Sequence, residues 1–178
     1  MLKVVILTIA LVTINAVDLN IDKFLGQWTL IALHTEFGDT APECRELSFS
    51  RKNVKCTCAD GKSVEIIKMA KVTNGSIDES SFDFPMLGVE DVKDVKPSLN
   101  VSCTCGEKEF MDRIVLRLLG DNYLVTYRHF QFAGKPVNNS AILAKNIPSR
   151  LKLSDLLKHI DDDRTFGVLC TSESSDRP

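Results

Sequence analysis

Six cysteines are the residues of this chain whose spacing most directly suggests chemistry. Four of them form two Cys-x-Cys pairs, Cys56 with Cys58 and Cys103 with Cys105, whereas Cys44 and Cys170 stand apart. Thiolate pairs can bind a metal ion, but structural zinc sites usually separate their paired cysteines by two to four residues. The one-residue gap therefore favours disulfide bonds over a metal site, provided that the chain folds in an oxidising compartment.

The amino-terminal segment indicates such a compartment. Residues 1–16 have a lysine near the start, an almost unbroken apolar run and a final alanine, which is the pattern of a secretory signal peptide. The run is well short of the roughly 20 apolar residues that a membrane span needs. Three sequons for N-glycosylation agree with export: Asn74, Asn100 and Asn138. We therefore expect a secreted, extracellular protein.

Composition and charge exclude several classes of function. A chain of 178 residues fits one domain, which at this size buries about two-thirds of the surface of its unfolded form. The 22 basic and 24 acidic side chains give a net charge of −2, whereas a nucleic-acid-binding protein needs a basic face. With 44% hydrophobic residues the chain is not disordered. No segment after residue 16 is apolar enough for a membrane span, so neither nucleic acid nor a membrane is an expected partner.

Residues that would support catalysis are scarce. The three histidines, His34, His129 and His159, stand in no metalloprotease, nucleophile-elbow or phosphate-loop motif. His34 lies late in the first expected strand, where it is either an ordinary polar histidine or a contact of a bound ligand. We therefore expect no enzymatic activity, no cofactor and no metal.

Short strand-like runs separated by turn sequences dominate the chain. Asp60-Gly61 is one such turn, while residues 73–97 are expected to form a long connection. The expected strands cover residues 27–34, 44–50, 53–58, 64–72, 99–105, 110–119, 123–132 and 137–145. Regular short strands with tight turns predict an all-β fold of eight strands in sequential hairpins, either a barrel or a sandwich.

The hydrophobic period changes near the end of the chain. Ser154 is the expected N-cap of an amphipathic helix of about three turns, packed on the wall of the β-structure. Its apolar stripe comprises Leu151, Leu153, Leu156, Leu157 and Ile160. The domain is expected to span residues 17–170, and residues 171–178 to form a flexible polar tail.

Eight strands followed by one helix resemble the lipocalin family. The segment from Phe24 to Trp28 matches the Gly-x-Trp signature with which lipocalins open their barrel, and residues 120–127 and 141–145 resemble the second and third lipocalin motifs. The resemblance covers residues 22–170 and is closest to arthropod and other outlier lipocalins. It implies an eight-stranded, antiparallel, up-and-down β-barrel with one carboxyl-terminal α-helix.

Within this resemblance the Gly-x-Trp segment has a structural role. Gly26 allows a tight bend into the first strand. Trp28 would plug the closed end of the barrel, and a cation over its ring would add roughly 0.5–2 kcal/mol. Lys145 or Arg150 would supply that cation.

The resemblance implies a ligand-binding interior, because an eight-stranded barrel is wide enough to hold one small molecule. Alternation along the strands predicts the lining: Ala32, His34, Leu47, Phe49, Ile66, Ile114, Leu116, Val125, Tyr127 and Leu143. We therefore expect binding, transport or scavenging of a small, mostly hydrophobic ligand. The alternative is a secreted antagonist, of the protease- or clotting-inhibitor type, that binds a protein partner through its loops. An empty cavity would favour the first, and an interior filled by disulfides and large side chains the second.

The lipocalin arrangement also suggests disulfide partners. If the Cys-x-Cys pairs lie level on the third and fifth strands, near the mouth, then Cys56 pairs with Cys103, Cys58 with Cys105, and Cys44 with Cys170. Such bonds would narrow or stiffen the mouth of the barrel. The fourth strand would separate the first two pairs by about 9.6 Å, too far for a disulfide, unless that strand begins late. Pairing of Cys44 with Cys58 across the second hairpin is the alternative.

Overall fold

In the part of the chain that the structure describes, the fold consists of one ten-stranded sheet and one α-helix. The computed structural model describes residues 21–35, 44–90, 102–111, 114–160 and 165–173. The strands are β1 Gly26–Thr35, β2 Arg45–Cys58, β3 Ser63–Thr73, β4 Ser76–Glu90, β5 Cys103–Cys105, β6 Lys108–Phe110, β7 Ile114–Leu119, β8 Tyr123–Phe132, β9 Lys135–Ala144 and β10 Gly167–Val168. A 3-10 helix, Ile21–Phe24, precedes β1, and α1, Arg150–His159, follows β9. The expected signal peptide, residues 1–16, lies outside the described residues.

Seven of these strands form a closed ring. Their order is β1-β9-β8-β7-β4-β3-β2, and β2 pairs back with β1, from Gly26 opposite Phe49 to Leu30 opposite Arg45. Neighbours in the ring are antiparallel except for β4 and β7, which run parallel. The predicted all-β fold with one helix is confirmed. The predicted eight-stranded up-and-down barrel is corrected to a seven-stranded ring with one parallel pair.

Two strands differ from the sequence prediction and produce this topology. Residues 45–58 form the single strand β2 instead of two. Residues 76–90, expected to be a connection, form β4, in which Pro85 is buried opposite Ile66. The described part of the strand expected at residues 99–105 is β5, which pairs with β2 rather than lying between β4 and β7. β4 and β7 are consequently direct neighbours.

A hairpin formed by β5 and β6 extends the sheet beyond the ring and carries two disulfides. β5 is antiparallel to the end of β2, with Cys56 opposite Cys105 and Cys58 opposite Cys103. Disulfides join these same partners, with Cα–Cα distances of 4.1 and 3.8 Å. The predicted pairs Cys56–Cys103 and Cys58–Cys105 are therefore wrong, because the two strands run in opposite directions.

The third disulfide joins Cys44 to Cys170, as the sequence predicts, with a Cα–Cα distance of 5.5 Å. It links the residue before β2 to the segment after β10, 126 positions later in the chain. This bond therefore ties the carboxyl-terminal segment to the ring.

The hairpin disulfides lie at the end of the ring where β1 begins. Phe49 is opposite Gly26, the first residue of β1, so the remainder of β2 extends past that strand. The four cysteines of these two disulfides, two on β2 and two on β5, pack with Val64 and Ile66 in a cluster separate from the one that contains Trp28. The expectation that these disulfides narrow or stiffen the mouth is therefore wrong.

Helix α1 packs on the outer face of the ring. Leu153 is 1% exposed and joins an outer apolar cluster with Ile31 and Val125, whereas Leu151 is 80% exposed. Burial of a leucine side chain contributes roughly 1.5–3 kcal/mol, so Leu153 is the main anchor of the helix. The N-cap is Ser149, whose Oγ accepts a hydrogen bond from the backbone N–H of Lys152, and not Ser154 as predicted.

The ordered domain continues past residue 170. Thr171 is buried, and the backbone N–H of Ser172 donates to the carbonyl of Pro148 at 2.9 Å. The Glu173 carboxylate accepts from the backbone N–H of Arg150 at 3.0 Å. Residues 171–173, predicted to belong to a flexible tail, therefore cap the start of α1, and the expectation for residues 174–178 falls outside the described part of the chain.

Candidate functional site

A cavity of about 160 Å³ lies inside the ring. Apolar side chains from six strands form most of its wall: Leu30, Leu47, Phe49, Met69, Phe84, Ile114, Leu116, Ala141 and Leu143. Four polar residues complete it: Thr126, Arg128, Asn139 and Ser140. The disulfides of the hairpin are not among the lining residues, so cysteines do not fill the interior.

Trp28 closes one end of this cavity. It is 1% exposed, belongs to the same apolar cluster as Leu30 and Leu143, and donates from Nε1 to the carbonyl of Phe24 at 3.0 Å. Gly26 precedes it with φ of 103°, a conformation that L side chains rarely adopt. The chain therefore bends at Gly26 and directs the indole beneath the cavity.

Lys145 supplies the cation over the indole. Its Nζ lies 5.1 Å from the centroid of the Trp28 ring. The backbone N–H of Lys145 donates to the carbonyl of Asn122 in the turn between β7 and β8, which holds the lysine at this end of the ring. Arg150, the other predicted cation, begins α1, where its backbone N–H is bonded to Glu173.

The polar part of the wall lies towards the other end of the cavity. Arg128 on β8 is directly opposite Asn139 on β9, and both residues line the cavity. The Oδ1 atom of Asn139 is buried and accepts no hydrogen bond from the described residues. A buried acceptor without a donor costs about 1–3 kcal/mol, so the position of Asn139 lowers the stability of the fold.

Phe82 stands at the rim of the cavity. It is 66% exposed although it faces Met69 across the β3–β4 pair and precedes Phe84 by two residues, and both of those line the cavity. Directly opposite residues in a sheet share a face, so the Phe82 ring is on the inner face of β4 beyond the enclosed volume. An exposed aromatic ring thus lies next to cavity-lining residues on β3 and β4.

Five of the ten predicted lining residues meet at the cavity: Leu47, Phe49, Ile114, Leu116 and Leu143. Ala32 and His34 do not, because the pairing of β1 with β9 shifts register between Leu30 and Ala32. Because this bulge inserts one residue, the side chains after it on β1 point to the opposite face of the sheet. Ala32 consequently lies in the outer cluster. His34 Nδ1 lies 2.9 Å from the carbonyl oxygen of Thr165 instead of facing a ligand.

Three other predicted lining residues lie elsewhere. Val125 and Tyr127 are in the outer cluster beneath α1, one position out of phase with Thr126 and Arg128, which face inwards. Ile66 packs with the hairpin disulfides, whereas its neighbour Ile67 belongs to the inner cluster. The prediction that these three residues line the cavity is therefore wrong. In each strand the residue that faces inwards is the next one along the chain.

Eight lining residues were missed by sequence reasoning: Leu30, Met69, Phe84, Thr126, Arg128, Asn139, Ser140 and Ala141. Leu30 could have been predicted, because alternation along β1 places it on the same face as Trp28. Phe84 belongs to the unrecognised β4. Arg128 and Asn139 carry no sequence signal of burial, since polar residues on a strand ordinarily indicate its solvent face.

The predicted glycosylation sites differ in their surroundings. Asn74 is exposed in the turn between β3 and β4, with φ of 51°, whereas Asn138 is half-buried on β9. Asn100 falls among the residues that the structure does not describe. Across the described ranges, no helix is long and apolar enough to cross a membrane, and no group of three or more potential ligands could hold a metal ion.

No protein-family model matches this chain, and no curated protein matches it by sequence. Among solved structures, it is similar to lobster apocrustacyanin A1, with 14% identity and a TM-score of 0.43, over 87% of this chain and 81% of that one. The siderocalin Ex-FABP matches with 10% identity and a TM-score of 0.49, over 84% and 91%. An odorant-binding protein matches with 10% identity and a TM-score of 0.46, over 88% and 94%.

The chain's own structure supports the lipocalin resemblance of its sequence. A 3-10 helix leads into Gly26, Trp28 plugs one end of a closed ring under a lysine, and a helix packs on the ring after its last strand. The fold is thus lipocalin-like, with the hairpin of β5 and β6 placed outside the ring.

Proposed function

We propose that this chain is a secreted, non-catalytic binding protein that carries or scavenges one small, mostly apolar molecule in the cavity of the ring. The observation that carries this proposal is the cavity itself, with its apolar wall and its few polar groups gathered on β8 and β9. Small-molecule sites characteristically combine a preformed apolar wall with a few polar groups that set orientation. Three disulfides support an oxidising, extracellular setting.

The size of the cavity restricts the ligand. At about 160 Å³ it is close to the roughly 150 Å³ apolar cavity that accommodates benzene, and smaller than the roughly 300 Å³ at which drug-sized sites begin. A single ring or a short chain can therefore be enclosed whole, whereas a long acyl chain or a haem would extend out of the cavity. The filled interior expected of an antagonist is not what the described residues form.

A cavity-filling substitution tests the proposal. Ala141 lines the cavity, so Ala141→Phe should occupy the space that a ligand needs. Leu151→Phe on the exposed side of α1 is the matched control, because it adds an aromatic ring outside the cavity. We expect calorimetry to show binding of toluene, 4-methylanisole or 4-ethylphenol to the parent and the control, and none to Ala141→Phe. Absence of binding of all three to the folded parent, or equal binding to Ala141→Phe, would refute the proposal.

A further inference from the structure

Thr126 carries a polar atom of the cavity wall that the fold leaves free. Among the other polar lining residues, Arg128 and Ser140 are already engaged in interactions of their own, and the amide oxygen of Asn139 is sealed inside the protein. Thr126 is half-buried, and within the described residues its hydroxyl forms no hydrogen bond and is not one of the sealed polar atoms. The hydroxyl of Thr126 is therefore the group with which a ligand can form a new hydrogen bond.

The position of Thr126 makes its hydroxyl part of the cavity. On β8 it lies directly opposite Leu116 on β7 and Ala141 on β9, and both of these residues line the cavity. Directly opposite residues in a sheet share a face, so the exposed part of the Thr126 side chain faces the interior of the ring. Apolar side chains flank it on both neighbouring strands. A ligand would thus meet a single hydroxyl in a part of the wall that is otherwise apolar.

We propose that the cavity selects small, neutral compounds that carry a hydrogen-bond acceptor and no donor, of the ketone and aldehyde class. The hydroxyl of Thr126 donates to the carbonyl oxygen of the ligand, while the rest of the ligand packs against the apolar wall. This assignment rests on the proposed function, because it names the ligand class of the same cavity.

The number of donors favours a carbonyl over an alcohol. A hydroxyl group brings one donor and also accepts. If the ligand had a hydroxyl too, one hydrogen bond between it and Thr126 would leave the second O–H without an acceptor. Among the described lining residues no second side-chain acceptor is free, because the Asn139 oxygen is sealed, Ser140 is engaged and the Arg128 guanidinium only donates. An unsatisfied buried donor is costly, whereas a carbonyl needs only the donor that Thr126 supplies.

Charged ligands are disfavoured for a different reason. A carboxylate could accept from Thr126, but its charge would leave water for an apolar wall, and Arg128 is already engaged in another interaction. An ammonium group has three donors, for which Thr126 offers one oxygen, and it would bring a positive charge towards Arg128. A neutral acceptor is therefore the group that this wall accommodates with the fewest unpaired atoms.

Two ligands of nearly equal volume isolate the donor count. Acetophenone has a carbonyl where 1-phenylethanol has a hydroxyl, and the two are otherwise the same. We expect calorimetry on the full-length parent to show about fivefold tighter binding of acetophenone, because only the alcohol brings a donor that finds no acceptor. Equal affinities, or tighter binding of the alcohol, would overturn the assignment of an acceptor ligand while leaving the proposed function standing. This comparison needs no variant.

A substitution assigns the hydrogen bond to Thr126. Thr126→Val replaces the hydroxyl by a methyl group of similar size, so acetophenone should bind about fivefold more weakly. α-Methylstyrene, in which a CH2 group replaces the carbonyl oxygen, should keep its affinity within about twofold. Thr126→Ser retains a hydroxyl and should retain the parent's ratio of the two affinities, as should the control Thr57→Val at an exposed position on β2. A ratio that is unchanged in Thr126→Val would overturn the role of Thr126.

Charged ligands of the same size complete the test. Benzoate and benzylamine should each bind more weakly than acetophenone by about tenfold or more. Tighter binding of either would overturn the selection of neutral compounds while supporting a binding cavity. Absence of binding of all five compounds to the folded parent would overturn this assignment and the proposed function together.

Discussion

The Nζ atom of Lys145 lies 5.1 Å from the centroid of the Trp28 ring. The two residues are far apart in sequence, and the contact joins the start of the first ring strand to the residue that follows the last. Because Trp28 also donates to the carbonyl of Phe24, two contacts hold the indole in place. The contact with Lys145 therefore links β1 to the residue after β9 at the closed end of the ring.

Removal of the lysine charge should weaken this closure. Lys145→Met should lower the free energy of unfolding by about 0.5–1 kcal/mol, the usual contribution of an exposed cation–π contact. The loss should shrink in a Trp28→Phe background, where a weaker partner ring remains. Lys62→Met, in the exposed turn between β2 and β3, is the control. Urea unfolding of the four variants measures the effect, and equal losses for Lys145→Met in both backgrounds would contradict the contact.

Truncation of the tryptophan itself should have a larger effect. Trp28→Ala should destabilise the fold by roughly 3–5 kcal/mol, because a fully buried ring is replaced by a cavity. Urea unfolding followed by circular dichroism gives this value. A loss below about 1 kcal/mol would mean that Trp28 does not plug the ring.

The sequence predicts the fold class, the plug at Trp28 and five cavity residues, because these depend on local alternation and on the Gly-x-Trp segment. It fails at Ala32 and His34 for a specific reason. The bulge after Leu30 inserts one residue, and everything beyond it on β1 changes face. A second register shift, between Lys52 and Lys55 on β2, lies beside the misplaced Ile66.

Other errors arise where polar residues occupy buried positions. Thr126 and Arg128 face the cavity, so a rule that places apolar residues inside selects Val125 and Tyr127 instead. The strand β4 escapes recognition because it is rich in acidic and serine residues in its first half and contains Pro85, which lacks a backbone N–H. Because the sequence analysis does not predict β4, its expected strand order is wrong. The two disulfide pairs derived from that order are wrong for the same reason.

Paired removal of cysteines should distinguish the two disulfide patterns. Cys58→Ser with Cys103→Ser leaves Cys56 opposite Cys105, so thiol titration of the denatured protein should find no free thiol. Cys56→Ser with Cys103→Ser leaves a diagonal pair about 7–8 Å apart, which a disulfide does not span, so two free thiols should appear. The opposite result would restore the pairing predicted from sequence.

Loss of either bond should lower the free energy of unfolding by about 2–4 kcal/mol without changing affinity for 4-ethylphenol, because the hairpin lies outside the cavity wall.

The cap of α1 should make stability depend on pH. The pKa of Glu173 lies below its ordinary value, chiefly because its carboxylate accepts from its own backbone N–H and from the hydroxyl of Thr171, with a further bond from Arg150. A lowered pKa means that the stabilisation is present above the unfolded value of 4.5 and is lost as the pH falls through the folded value. Glu173→Gln should therefore be less stable than the parent near neutral pH, and this difference should shrink below pH 4.5. Glu107→Gln in the exposed hairpin turn is the control for urea titrations at each pH, and a difference independent of pH would contradict the cap.

Leu116 and Leu153 offer a matched pair for testing whether cavity volume sets ligand size. Both are almost fully buried, but Leu116 lines the cavity and Leu153 packs outside the ring beneath α1. Each leucine-to-alanine substitution should cost roughly 2–5 kcal/mol. Only Leu116→Ala should enlarge the ligand space, so 4-butylphenol should gain affinity relative to 4-ethylphenol in that variant alone. Calorimetry at a temperature where both variants are folded measures the ratio. An equal gain in Leu153→Ala would show that general loosening of the fold, and not the wall at Leu116, admits the longer chain.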